Sequence, residues 1–398
     1  MGRTTSKDLA ARRWRRQGAG AGLLLALAAA PGAVACSQGS ESAACAPTEG
    51  IDHRNGTLVV EGDPWSGYFA FRDEHLLDGT PYTLMYVEQP CQEQRAADLT
   101  YGVADIAVTS LDQYVLHQPE ATVVGVIDQS LGADALVLDT TRYPYLDSVD
   151  DLHRLVAEYD GPGNGPVLAY TGSSPSEMLL NELANTTEEL DLSDFELVSV
   201  DTSTSAYEML QSGEAQLAVV WEPDTTAARN AGYTVALSSA DVPDSIVDVI
   251  VVSNRLIEED PAAVEALVEA YYTTMDDFLA HRDALIAAIA EDSAEASGDQ
   301  PDEAAAASVV DGIKLYGTND ANVFMNEPVF PLDQPQATAS LQSIGSVLAL
   351  VHPDIRLSRA AIDGSYIADI AVARYGTGGG AGGDPPADTA EPTGGGDQ

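Results

Sequence analysis

From Thr57 to Val252 the sequence alternates short apolar runs with segments of helical period, and it does so in two successive passes. The first pass reads as strands at Thr57–Glu61, Tyr82–Val87, Asp105–Val108, Thr122–Ile127 and Ala135–Leu138. Helices through Leu77, over Gln92–Leu99 and over Leu111–His117 separate the earlier strands. The pattern then restarts with a helix at Val149–Glu158, a strand at Val167 and a strand at Phe195–Val200. Helices over Ser205–Gln211 and Thr225–Ala231 flank Ala215–Val220, and Tyr233–Leu237 and Val247–Val252 are the last strands. Strands separated by helices predict parallel sheets with helices on their faces. Beyond Pro261 the periodicity is helical over 263–290, 303–316 and 337–351, with a weaker helix after Ser358. Two α/β passes, followed by helices that must cover something already built, predict two lobes whose ligand-facing turns meet in one cleft.

The second pass carries the most informative turn, Thr171-Gly172-Ser173-Ser174-Pro175-Ser176-Glu177. Ser174 can cap the helix that follows, with Pro175 at its first position and Glu177 at its third, as in a capping box. A helix N-terminus offers unpaired N–H groups and a partial positive charge, and here Ser173, Ser174 and Ser176 crowd hydroxyls around it. Such a turn at the carboxyl end of a parallel strand is where open α/β sheets bind small ligands. The plainer reading is a well-capped helix.

The chain of 398 residues can bury a large core, and its formal net charge is -45, from 18 basic and 63 acidic residues. A field of that sign repels nucleic acid and anionic membrane surfaces. Arg12-Arg13-Trp14-Arg15-Arg16 followed by the apolar stretch 18–35 reads as an export signal, through the general or the twin-Arg route. An uncleaved anchor is the alternative. Ala33-Val34-Ala35-Cys36-Ser37 resembles a bacterial lipobox, which makes Cys36 the expected lipidation site. If Cys36 is acylated, Cys45 and Cys91 are left as a pair in an oxidising compartment, either bonded or as two thiols.

Residues from about 57 to 282 resemble the periplasmic substrate-binding proteins of ABC importers, in the nitrate, sulfonate and taurine branch. The resemblance rests on five stretches in order: Tyr101–Ala107, Ser130–Val137, Thr171–Ser176, Trp221-Glu222-Pro223 and Asp248–Val252. It implies a bilobal periplasmic-binding-protein fold, type II-like, with two α/β lobes, a ligand cleft between them and, here, a C-terminal helical extension. The implied division is a lipoprotein signal peptide at 1–36, a tether at 37–56 and lobe 1 at 57–138. Lobe 2 follows at 139–246, then a return to lobe 1 with helices at 247–375 and a disordered tail at 376–398. The implied partners are a small-molecule ligand and the permease and ATPase subunits, with a lipid anchor on the extracytoplasmic face and a monomeric state.

The ligand-facing positions carried over are Ser173, Ser174, Ser176, Trp221, Glu222, Thr109 and Ser110. The fold nominates Trp65, Ser66 and Tyr68 in the loop after the first strand, and Asp134 and Asp248 lie at the crossovers as hinge or ligand residues. No Arg or Lys sits in these segments, so an anionic ligand would depend on hydroxyls, the helix N-terminus and Arg95 or Arg72. Glu222, Asp224, Asp134 and Asp248 point instead to a ligand with an amine or amidine. In a chain this acidic they also have the plain reading of solvated charges.

A surface sensor without a transporter is one alternative, and an enzyme on the same fold is another. Gly172-Ser173-Ser174-Pro175-Ser176 misses the nucleophile-elbow pattern at its last position. His53, His75, His117, His153, His281 and His352 are scattered, and no His/Cys spacing suits a metal. The expectation is a binding protein without cofactor or metal.

Overall fold

The structure, a computed structural model, describes Thr48 and residues 56–186, 191–298, 300–329, 333–357 and 360–375. The export signal, the lipobox with Cys36, Cys45, most of the tether and the tail lie outside the described residues. Cys91 is disulfide-bonded, and its pairing with Cys45 therefore falls outside them too.

The first sheet has the order β11-β4-β10-β3-β1-β2, built from β1 (Thr57–Gly62), β2 (Thr83–Glu88), β3 (Ile106–Ser110), β4 (Ala121–Ser130), β10 (Val247–Ser253) and β11 (Ile313–Leu315). The second has the order β7-β6-β8-β5-β9, from β5 (Ala135–Leu138), β6 (Val167–Thr171), β7 (Glu196–Val200), β8 (Leu217–Val220) and β9 (Thr234–Ser238). A short hairpin of β12 (Pro328–Val329) and β13 (Gln334–Pro335) stands apart. Every residue of β3 and β10 is buried, as is every residue of β5 and β8, which fits strands covered on both faces.

The sheets are mixed, where the alternation predicted parallel ones. β10 runs against both β3 and β4, and β5 runs against β8 and β9. The reason is topological. A chain that leaves one lobe and later returns re-enters each sheet from the hinge end, so the entering strand opposes its neighbours. The two crossovers, Ser130–Asp134 and Ser239–Ile246, bond to each other: the Ser130 and Ser239 hydroxyls lie 2.7 Å apart, and Ser239 N–H donates to Asp134 O at 2.9 Å.

Two C-terminal expectations change. The continuous helix over 263–290 is two helices, Pro261–Ala280 and Arg282–Ser297, broken at His281, whose φ of -134° and ψ of 69° are not helical. The run 303–316 is a helix only over Glu303–Gly312. It ends in β11, where Ile313 and Leu315 are buried around exposed Lys314, a period of two that fits within one helical turn. Helix Asn254–Glu259, capped by the Ser253 side chain, was not anticipated.

Candidate functional site

The carboxyl ends of β1, β3 and β4 and the start of β10 face the carboxyl ends of β6 and β8 across the paired crossovers. The lobes meet closely. Met178, on helix Pro175–Thr186 of the second lobe, is 1% exposed and belongs to the first lobe's core. The same helix packs on Leu111–His117 and on Gln336–Leu348.

At the Ser-rich turn, Ser174 Oγ accepts from Ser176 N–H at 3.2 Å and donates to Thr171 O at 2.8 Å. The predicted capping box is displaced by one residue. Glu177 Oε1 reaches Ser173 N–H (3.2 Å), and Ser173 adopts a positive φ of 51° to present it. Ser173 is exposed, whereas Ser174 is buried and Ser176 fully so. Ser176 Oγ and Thr171 Oγ1 have no hydrogen-bond partner among the described residues. Ser174→Ala should cost about 1 kcal/mol of stability, as the loss of a cap usually does. Urea denaturation checks this, and an unchanged midpoint would mean that Ser174 does not hold the turn.

On the second-lobe wall, Trp221 is half-buried and its N–H donates to Ser203 Oγ at 3.0 Å. Glu222 is 3% exposed. Its carboxylate accepts from Thr226 N–H (3.0 Å) and Thr226 Oγ1 (2.8 Å), with Arg229 at 3.9 Å. Burial raises its pKa, and the Thr226 bonds oppose the rise. Glu222 thus caps helix Asp224–Ala231, and its lone pairs are largely engaged within its own lobe.

In the first lobe, Trp65 Nε1 donates to Asp128 Oδ2 at 3.4 Å, and Tyr68, 2% exposed, lies beside Asp248. Ser66 Oγ is 3.1 Å from Ser293 Oγ. Arg72 pairs with Asp292 at 2.5 Å and donates to the Asp63 and Trp65 carbonyls. Helix Arg282–Ser297 therefore fastens this loop from outside, a role its sequence did not suggest. Thr109 Oγ1 donates to Gln92 Oε1 at 2.7 Å, and Ser110, 1% exposed, places its hydroxyl against the buried Asp112 carboxyl. Arg95, also 1% exposed, binds Asp63 at 3.0 Å and the Val108 carbonyl at 2.5 Å.

Three acids gather at the hinge end of the first sheet. Asp128 and Asp248 are direct partners across the β4–β10 register and are 2% and 6% exposed. Burial pushes the Asp128 carboxyl up to about 7, with the Asp134 and Asp63 charges adding to the rise, and pushes Asp248 well above its usual range, with the Asp128 charge adding to it. Asp134 accepts from Ser130 Oγ at 2.6 Å in the crossover, and burial raises it to about 6. Asp248 and Asp134 were legible as crossover residues. Asp128 was not, because the strand reading stopped at Ile127 and the register that pairs it with Asp248 is long-range.

Residues 163–284, from before β6 through β10 and the two helices after it, match the family described as NMT1/THI5 like. Among solved structures, the aliphatic sulphonate-binding protein SsuA of Escherichia coli superposes with a TM-score of 0.59 at 17% identity, covering 77% of this chain and 92% of that one. The chain has the periplasmic-binding-protein fold. The nitrate-binding protein NrtA of Synechocystis is similar as well, with a TM-score of 0.55, 11% identity, and 81% and 90% of the two chains covered. So is the desulfurization enzyme DszB in complex with biphenyl-2-sulfinic acid, with a TM-score of 0.54, 16% identity and coverages of 79% and 99%. No curated protein matches. The expected resemblance to sulfonate- and nitrate-binding proteins is thus borne out at the level of fold, and the fold hosts an enzyme too. No helix among the described residues is long and apolar enough to cross a membrane.

Proposed function

We propose that this chain is an extracytoplasmic solute-binding lipoprotein that closes its lobes on one small polar molecule and delivers it to an ABC permease and ATPase. The observation that carries the reading is the crossover pair, Ser130–Asp134 with Ser239–Ile246. Its strands join two sheets whose ligand-facing ends look at each other, which is the construction of a hinge. The fold neighbours that bind solutes support the same use. The lobes divide at 57–138, 139–246 and 247–375, and Cys36 carries the lipid. Trp65, Ser66, Tyr68, Thr109, Ser110, Ser173, Ser174, Ser176 and Trp221 border the solute, while Glu222 supports the wall through Thr226 and Asp134 belongs to the hinge.

The test is small-angle scattering on the purified full chain with a panel of sulfonates, nitrate, amines, amidines and pyrimidines. A ligand that raises the melting temperature should also shrink the radius of gyration, as lobe closure requires. Chemical conversion of that ligand would replace the binding reading with an enzymatic one. For the anchor, Cys36→Ala should release the protein from the detergent phase on partitioning. Retention of the variant there would favour an uncleaved membrane segment over acylation.

A further inference from the structure

We propose that Asp128 and Asp248 form the cation-recognising end of the cleft and take the protonated nitrogen of a small organic amine or amidine. The proposal rests on the solute-binding reading and names the class of solute the site selects.

Two carboxylates set directly opposite each other on neighbouring strands put their side chains on the same face of the sheet. Both are buried, and neither has an ion pair among the described residues. Among the basic groups of the first lobe, Arg95 is committed to Asp63 and Arg72 to Asp292. Lys314, opposite Gln129 on β11, is exposed, lies over the Tyr316 ring and falls on the other face from Asp128. An unneutralised buried carboxylate is costly, so such a pair holds a proton or a counter-charge.

The surroundings are arranged as recognition groups. Ser110 is opposite Asp248 on the other side, at register Asp248↔Ser110, so its hydroxyl shares that face. Ser110 is 1% exposed, and its hydroxyl also reaches the buried Asp112 carboxyl. The Tyr271 hydroxyl, fully buried on helix Pro261–Ala280, is unpartnered among the described residues and feels the charge of both acids. These are acceptors for the N–H groups of an amine or amidine, beyond what one shared proton could satisfy. Trp65 supplies an aromatic surface at the rim, and its 3.4 Å bond to Asp128 is long enough to yield to a cation. Gly67 brings its backbone so close to the Asp128 carboxylate and the Trp65 indole that a Cβ would strike both. The loop is therefore shaped around that carboxylate.

The other groups facing the pair make an anion unwelcome. Asp63 and Asp134 add negative charge, the Tyr68 hydroxyl hydrogen-bonds to Asp248, and Tyr68, Tyr271 and Tyr316 are neutral phenols held so by burial. Arg95 is bound to Asp63, and its charge is felt at Tyr68. This moves the expected carboxylate contact from Glu222, whose oxygens hold Thr226, to the first lobe. Because a cation competes with the proton held by the pair, binding should release protons and strengthen as the pH rises. Below neutrality the affinity should climb about tenfold per pH unit for each proton displaced.

Calorimetry on the full chain, in about 0.15 M salt to suppress non-specific attraction, uses benzamidine and agmatine as cationic probes and taurine and nitrate as anionic ones. The expected result is saturable binding of a cationic probe, with lobe closure by scattering and proton release seen as a buffer-dependent enthalpy. Asp128→Asn and Asp248→Asn should each weaken it at least about tenfold, while Glu158→Gln, at an exposed surface carboxylate, leaves it within about twofold. Proton release is read on the unmodified protein, so it decides even if a variant fails to fold. Binding and closure with an anionic probe, unweakened in the Asn variants, would overturn the cation class while leaving the solute-binding reading intact. Silence of both probe classes together with an unchanged radius of gyration would overturn both.

Discussion

Asp128→Asn should make the ligand-free protein more stable at about pH 8, with the gain disappearing as the pH falls towards 4. The folded-state carboxyl is raised from 3.8 to about 7, chiefly by burial and further by Asp134 and Asp63. A raised acid gives its full stability below the unfolded pKa, where both states are protonated. Between about pH 4 and 7 the unfolded chain ionises while the folded one holds its proton, so stability falls across that window and levels off above it. Roughly three pKa units at about 1.4 kcal/mol each give an upper bound near 4 kcal/mol. Asn should recover about half of this, since its amide also needs partners. Asp248→Asn should act in the same direction, because burial raises that carboxyl too and the Asp128 charge adds to the rise. Urea denaturation at several pH values measures it. Parallel pH profiles for the wild type and both variants would show that the pair is not the source of the slope. A destabilising pair kept in a hinge-side site is the pattern expected where function and stability compete.

What the sequence showed and what it hid divide along the range of the interactions. Strand and helix positions were legible because each apolar run reports its own burial, and Ala135–Leu138 and Leu111–His117 coincide with the observed elements. Strand direction was not, because β10 opposes β3 only through a connection that runs out to the second lobe and back. The hidden break at His281 and the three-residue β11 are shorter than a periodicity window. At the site, the Ser-rich turn was visible as local capping chemistry. The spacing Glu222 to Thr226 was also readable as a local cap, yet the composition drew attention to its charge instead. The pairing of Asp128 with Asp248, 120 residues apart in sequence, and the brace from Arg72 to Asp292 had no local signal.

Arg95→Met should cost about 3–5 kcal/mol, the range for removing one partner of a buried ion pair. The guanidinium is 1% exposed and joins the Asp63 carboxylate to the Val108 carbonyl of β3, with helix Gln92–Tyr101 carrying it across the sheet. Asp63 also receives Arg72 and Tyr86 at its carbonyl, so the loop that leads to Trp65 is anchored at this one residue. Met fills the volume but leaves the Asp63 carboxylate and the Val108 carbonyl without their donor, and it puts another unpaired charge near Asp128 and Asp248. Asp63→Asn in the same background should recover part of the loss, since the stranded charge goes with it. The surface pair Arg154–Glu158, with side chains 54% and 52% exposed, is the internal contrast, and Arg154→Met should cost less than about 1 kcal/mol. Urea denaturation of the single and double variants reads all three. If Arg95→Met costs no more than Arg154→Met, the guanidinium is not needed by Asp63. Arg95 would then be the first-lobe cation available to an anionic ligand end, which is the arrangement that a sulfonate- or nitrate-like solute would require.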